Sequence, residues 1–353
     1  MAANTTRIFL DLLRAAEHLA GRRDREDLFR DLSLAVRAAL GATAVMLYAV
    51  RPSVGGSSLV PVGWCVAGME SGEWQDSALV GDLPADPFLA SAVIAKTPWY
   101  REHGAEMERI AFPVSNGSRV SWLLEVQIAR SPGVHVLQGL VALVRTFEHL
   151  MVQWEYANLD TLTGLLNRKT FDEQFDRLLA LAERNRERAR KSERRQQESK
   201  HPCWLGIVDI DHFKHINDSR GHLFGDEVLI LLAKCMREHF RADDTLFRFG
   251  GEEFVVMLRH APEQTVARVF ERFRSAVEHY EFPQVGQVTC SVGFCRVDDR
   301  RSPAELLGRA DEALYFAKDH GRNQVRNYEQ LVSTGQLKPT AASSAQEDAD
   351  RFF

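Results

Sequence analysis

Long apolar runs are missing from this chain of 353 residues: nothing in it approaches the roughly 20 consecutive apolar residues of a membrane-spanning helix. The opening stretch 1–27 carries acidic side chains and no small-residue cleavage pattern, so no secretory leader is expected and the chain reads as cytoplasmic. A dominant charge of one sign is missing too. The 44 Lys and Arg against 49 Asp and Glu leave a net charge of -5, which gives neither nucleic acid nor a membrane an overall electrostatic reason to be a partner. Cysteine is sparse. Cys65, Cys203, Cys235, Cys290 and Cys295 are scattered without a C-x-x-C pair, which excludes the usual zinc and redox spacings and leaves five small apolar groups for a core.

Length is present in plenty, and it suggests two domains, each able to bury a core. In the first, 1–150, apolar side chains recur at helical spacing (Ile8, Phe9, Leu12, Leu13, then Leu28, Leu32, Val36). Strand-like runs follow at 44–50, 59–66, 110–114 and 120–128, the last two joined through Ser115-Asn116-Gly117 as a hairpin, with a short helix expected at 87–95. This order of helix, strands, short helix, hairpin and closing helix resembles a GAF sensory domain over about 20–150. The resemblance implies a regulatory role toward an unidentified small-molecule or protein signal. Trp64, Trp74, Trp99 and Trp122 read as core, with a pocket lining as the alternative.

Between 138 and 160 a helical linker is expected. Leu140, Val144, Phe147, Met151, Trp154 and Asn158 alternate spacings of four and three, which suits a coiled-coil seam and equally a closing helix packed on its own sheet. Further on, 183–200 holds eight basic and four acidic residues with no large apolar side chain, so it reads as a solvated extension or loop. The tail, 329–353, is expected to be disordered.

The second half alternates strands and helices. A strand at 204–208 delivers Asp209-Ile210-Asp211 at its end, and two strands at 245–249 and 254–258 flank Gly250-Gly251-Glu252-Glu253. Alone, that turn is an acidic hairpin tip. If it lies beside the end of the Asp209 strand, Asp209, Glu252 and Glu253 converge, and a cluster of hard oxygen donors suits Mg²⁺, with Mn²⁺ as the alternative, together with the phosphates of a nucleotide.

Three segments together resemble the GGDEF family of diguanylate cyclases over about 157–328: Asp160-Thr161-Leu162-Thr163-Gly164-Leu165-Leu166-Asn167-Arg168, then Asp209-Ile210-Asp211-His212-Phe213-Lys214-His215-Ile216-Asn217-Asp218, then Gly250-Gly251-Glu252-Glu253-Phe254. The resemblance implies an α/β palm-like fold with a mostly antiparallel central sheet flanked by helices. It also implies an activity, the condensation of two GTP into cyclic di-GMP. Asp209, the Ile210 carbonyl, Glu252 and Glu253 would hold the metal, and Glu252, Glu253 and Asp209 would be catalytic.

By the same resemblance Asn217 and Asp226 select guanine, although Asp226 on its own reads as a helix cap. Phosphates would meet the backbone at His212, Phe213 and Lys214 and the side chains of Lys318 and Arg322, which otherwise read as the basic end of a helix. His222 has a weaker claim beside the base. Arg241 and Asp244 match the family's R-x-x-D product site, where cyclic di-GMP restrains its own synthesis. A homodimer follows from the need for two facing sites. The departure is 183–200, longer than the family's usual connection. A catalytically silent receptor for GTP or cyclic di-GMP is the alternative, disfavoured because no metal carboxylate or turn glycine is lost.

Overall fold

The computed structural model describes residues 2–338 apart from 23, 54–55, 67–74, 77–85, 96, 105, 117–118, 130, 191–200, 242–243 and 299. The chain forms two compact units, Met1–Ala157 and Asn158–Phe353. Among the described residues no helix is long and apolar enough to cross a membrane.

The first unit runs α1 (Ala2–Ala20), α2 (Arg25–Leu40), β1 (Ala44–Ser53), β2 (Gly56–Val66), β3 (Gln75–Asp76), α3 (Pro87–Ile94), β4 (Tyr100–His103), β5 (Glu108–Asn116), β6 (Arg119–Ile128) and α4 (Val134–Asn158). The strands form one antiparallel sheet in the order β3-β2-β1-β6-β5-β4. Local chemistry sets the helix ends. Asp24 caps α2 by accepting from Asp27 N–H at 2.8 Å, and Gly41 closes it in the left-handed region at φ 62°. Of the tryptophans, Trp122 is buried, Trp64 and Trp99 are half-buried, and Trp74 lies outside the described residues.

The seam suggested for 138–160 is already filled. Leu140, Val144, Phe147, Met151 and Trp154 are all buried in this single chain, with Phe147 against Phe29 of α2 at 5.8 Å between ring centres. A stripe of spacing four and three is what any helix packed on a sheet displays, and here it faces its own unit.

The second unit runs β7 (Leu166–Asn167), a 3₁₀ turn (Arg168–Thr170), α5 (Phe171–Arg190), β8 (Trp204–Ile210), α6 (Phe213–Arg220), α7 (His222–His239), β9 (Thr245–Gly250), β10 (Glu253–Leu258), α8 (Glu263–His279), β11 (Glu281–Phe282), β12 (Gly286–Gln287), β13 (Cys290–Arg296), α9 (Pro303–Asp319), β14 (Val325–Asn327) and α10 (Tyr328–Ser333). Its main sheet has the order β14-β13-β8-β10-β9-β7, antiparallel at the centre and parallel at its two edge pairs.

Helices cover both faces, so the central strand is apolar up to Asp209, and β8 is buried along its whole length. Trp204, Val208 and Ile210 join the core that contains α7 and α8, while Leu205 and Ile207 join the core that contains α5, α9 and α10. Two glycines let helices come close. A Cβ on Gly206 would meet the Phe270 ring at 2.4 Å, and one on Gly293 would meet the α9 backbone at Leu314 N, 2.1 Å away. Residues 329–338, expected in the tail, are part of this fold, because Tyr328 and Leu331 are buried in the α9 core. The charged run 183–200 lies outside what can be described beyond the helical backbone of α5, which ends at Arg190.

Candidate active site

The site is built at the end of β8 that carries Asp209. In the ladder Asp209 stands opposite Ser291 on β13 and opposite Glu253 on β10, so these three side chains share one face of the sheet. It is the face covered by α9. That helix starts with Ser302 and Glu305 capping each other's backbone, and its other end places Lys318 beside the strand. The Lys318 ammonium lies 2.8 Å from Asp209 Oδ2, with the carboxylate side chain only 5% exposed.

Between β9 and β10 stand Gly251 and Glu252, with Gly251 at φ 38°, a left-handed value that a side chain would strain. This tight turn sets Glu252 next to Asp209. Burial raises the Asp209 carboxyl above its ordinary range, against the pull of Lys318 and with added push from Asp211. Burial likewise raises Glu252, helped by repulsion from Asp209 and Glu253 and opposed by Lys318. Standing beside each other, the two carboxyls disfavour each other's ionisation.

Among the described residues no three His, Cys, Asp or Glu side chains come together closely enough to enclose a metal. A hard divalent ion needs no such cage, since it takes one or two protein carboxylates and completes its shell with water and substrate phosphate. The donor set of Asp209, the Ile210 carbonyl and Glu252, with Glu253 alongside, therefore fits such an ion.

On the other side of Asp209 the chain turns into α6. His212 sits at φ 60°, a conformation costly for a non-glycine residue, and its carbonyl accepts from the N–H groups of His215 and Ile216. The first N–H groups of a helix have no intrahelical partner, and those of Phe213 and Lys214 belong to that set. The helices α6 and α7 meet at Gly221. There Asn217 is half-buried against Gly225, while Asp226 and His222 are exposed on α7.

Arg322 follows α9 in a loop where Gly321, Arg322 and Asn323 have φ values of 108°, 60° and 47°. Asp211 holds this loop. Its carboxylate, 5% exposed, accepts from Asn323 N–H at 3.0 Å and from the hydroxyls of Thr289 and Ser291, both at 2.7 Å. The Asn323 side chain is itself held by Arg274 and Glu278 of α8. Arg241 and Asp244 occupy the turn after α7, where the Asp244 carboxylate accepts from Arg241 N–H at 2.9 Å. The structure thus brings Asp209, Glu252, Glu253 and Lys318 together, sets Asn217 against Gly225, the residue before Asp226, and leaves Arg241 and Asp244 on a turn of their own.

Two residues of consequence escaped the sequence. Asp211 was visible as the second acid of Asp209-Ile210-Asp211, but its partners lie 78, 80 and 112 positions away. Arg248 carried no signal at all, yet it donates to both Asp160 oxygens and to the Gly251 carbonyl.

Residues 157–324 match the family model described as "Diguanylate cyclase, GGDEF domain". The chain is 36% identical over 200 residues to diguanylate cyclase DgcP of Pseudomonas aeruginosa, covering 54% of this chain and 28% of that protein. It is 33% identical over 211 residues to diguanylate cyclase DosC of Escherichia coli, covering 59% of this chain and 41% of that one. It therefore spans less than half the length of these curated relatives. Among solved structures, the GGDEF domain of DgcB from Caulobacter crescentus, determined in complex with c-di-GMP, is 34% identical over 49% of this chain and 96% of its own, with a TM-score of 0.43.

Proposed function

We propose that this chain, whose residues 157–324 match the GGDEF family model, is a diguanylate cyclase, which joins two GTP molecules into cyclic di-GMP and releases two pyrophosphates. The observation that carries the reading is the meeting of Asp209, Glu252 and Lys318, with the ammonium paired to the buried Asp209 carboxylate and Glu252 near enough to feel both charges.

In this reading Asn217 and Asp226 take the guanine, the carboxylate accepting from N1–H and the exocyclic amine and the amide bonding the purine edge. The N–H groups at the start of α6, with Lys318 and Arg322, take the triphosphate. Asp209, the Ile210 carbonyl, Glu252 and Glu253 would hold Mg²⁺, which would supply charge neutralisation of the triphosphate and a lowered pKa for the attacking 3′-hydroxyl. Glu252 then accepts the proton of that hydroxyl. The 3′-oxygen bonds to the α-phosphorus of the other GTP as the bond to pyrophosphate breaks, and the step repeats in the opposite sense to close the ring.

Each chain offers one such set of residues, so two copies face each other as a homodimer. Residues 1–150 act as the regulatory domain, and the six-stranded antiparallel sheet flanked by helices supports a GAF-like reading. Arg241 and Asp244 serve product feedback, supported by the carboxylate that shapes their turn.

The test is purified chain, stripped of nucleotide, incubated with Mg²⁺ and GTP, with products resolved by chromatography and Glu252→Ala run beside it. Cyclic di-GMP from the parent and none from the variant is the expected result. Tight GTP binding without product would replace the cyclase by a receptor.

A further inference from the structure

We infer that Gly225 is a specificity-determining positioning residue: by lacking a side chain it lets the Asn217 amide settle where it meets a guanine edge. The inference rests on the guanine-reading role proposed above for Asn217.

Glycine is a poor choice at this point in the chain. Gly225 lies in the first turn of α7, where alanine is intrinsically favoured, and its φ is not among the left-handed ones, so the backbone does not demand it. The reason is what lies over it. A Cβ at 225 would stand 2.0 Å from Asn217 Oδ1 and 3.0 Å from Asn217 Cγ, with the Phe213 ring next at 3.2 Å. None of these nearest atoms is backbone. Tight approach of helices is therefore not what excludes the side chain, in contrast to Gly293, where the obstacle is the α9 main chain.

Nor can Asn217 withdraw as a whole. Its carbonyl accepts from Gly221 N–H at 2.8 Å where α6 ends, which fixes its main chain. Only χ1 and χ2 remain to relieve the clash, and turning either swings the amide off Gly225. Asp226 is the next residue along α7, so the amide and the carboxylate are referenced to the same glycine. An added methyl would leave the carboxylate in place and displace its companion, which is a change in base reading with little change in fold.

The experiment is a double-mutant cycle in the full chain with Gly225→Ala, Asn217→Ala and the pair, measuring thermal midpoint, kcat and KM for GTP and the ratio of GTP to ATP turnover. For Gly225→Ala the expected result is a KM for GTP raised about tenfold, the scale of one lost hydrogen bond, with kcat falling less than about threefold. Discrimination against ATP narrows by a similar factor, and the midpoint stays within about 3 °C of the parent. In the Asn217→Ala background the second substitution adds nothing to KM.

A Gly225→Ala chain with parental KM and discrimination overturns the inference, and so does a loss that persists undiminished without the Asn217 amide. Should Gly225→Ala lower the midpoint strongly, recovery in the double variant supports the inference and its absence overturns it. A parent chain that neither binds nor converts GTP overturns the guanine-reading assignment and this inference with it, whereas failure confined to the cycle overturns this inference alone.

Discussion

Arg248 grips Asp160 across 88 positions of sequence, its Nη1 standing 3.1 and 3.2 Å from the two carboxylate oxygens. The same guanidinium donates through Nε and Nη2 to the Gly251 carbonyl at 3.2 and 2.9 Å. One planar fork thus ties the start of the second unit to the turn that carries Glu252. Lysine would keep the charge but not the fork. Arg248→Lys is expected to lower kcat for cyclic di-GMP synthesis about tenfold while the thermal midpoint falls by less than about 5 °C. An unchanged kcat would show that the turn holds its shape without the tie.

Asp160 also makes stability depend on pH. Burial opposes its ionisation, but the Thr163 hydroxyl and N–H and the Arg248 guanidinium outweigh burial and hold the carboxyl below its ordinary value of 3.8. A group depressed in the folded state stabilises the fold above its unfolded pKa and loses that contribution as pH falls through the folded one. The urea-unfolding difference between parent and Asp160→Asn should therefore be full at about pH 6 and shrink steadily below about pH 4. A difference that does not change with pH would mean that the bonds, not the charge, matter.

How far the sequence could be read follows from the range of the forces involved. The apolar strand of β8 and the paired strands around Gly251 and Glu252 were legible because burial on both faces and a glycine turn leave local signatures. The strand β4, Tyr100–His103, was not, since a short edge strand of Tyr, Arg, Glu and His has no apolar alternation to betray it. The stripe on α4 was legible as a stripe, but spacing alone does not say which surface receives it. Asp211 and Arg248 act through partners far along the chain, which no spacing rule reaches.

Lys318 stands where a cation is wanted, so its removal should be felt most when no divalent ion is present. Asp209 is nearly buried, and its ion pair with Lys318 is the attraction that opposes the burial penalty. Lys318→Met is expected to lower the thermal midpoint by about 5 °C in chelator. Saturating Mg²⁺ should narrow the gap on the proposal that Asp209 holds the ion, which would then replace the lost ammonium. An equal gap with and without Mg²⁺ would argue that the metal binds away from Asp209.

Gly293 and Gly206 offer a paired test of close packing. At Gly293 a Cβ would lie 2.1 Å from Leu314 N and 2.2 Å from Ala310 O, so the whole of α9 would have to lift off β13. At Gly206 the obstacle is the Phe270 ring, which has some freedom to tilt. Gly293→Ala is therefore expected to cost more than about 4 kcal/mol and Gly206→Ala about 2 to 3 kcal/mol in denaturant unfolding. Equal costs would show that the side chain is as immovable as the helix.

In the first unit the critical cation is Arg109. Glu125 has no exposed surface and accepts from Arg109 Nε at 2.8 Å, from the Tyr48 hydroxyl at 2.9 Å and from Gln127 Nε2 at 3.0 Å. Arg109 Nη2 reaches Asp86 at 2.6 Å, the residue whose carboxylate caps α3 through Phe88 N–H. The guanidinium lies 4.4 Å from the Phe88 ring centre, so one side chain fastens α3 to the sheet by charge and by contact. Burial works against its charge, but Asp86 and Glu125 keep its pKa above the ordinary arginine value, and burial beside Glu125 raises the Tyr48 hydroxyl. Arg109→Met would strand a buried carboxylate and is expected to cost about 3 to 4 kcal/mol. Adding Glu125→Gln removes the stranded charge while keeping an acceptor for Tyr48, and should recover about half of the loss. If the second change recovers nothing, the cost of Arg109→Met comes from the freed end of α3, and the Asp86 contact rather than the Glu125 contact holds the helix.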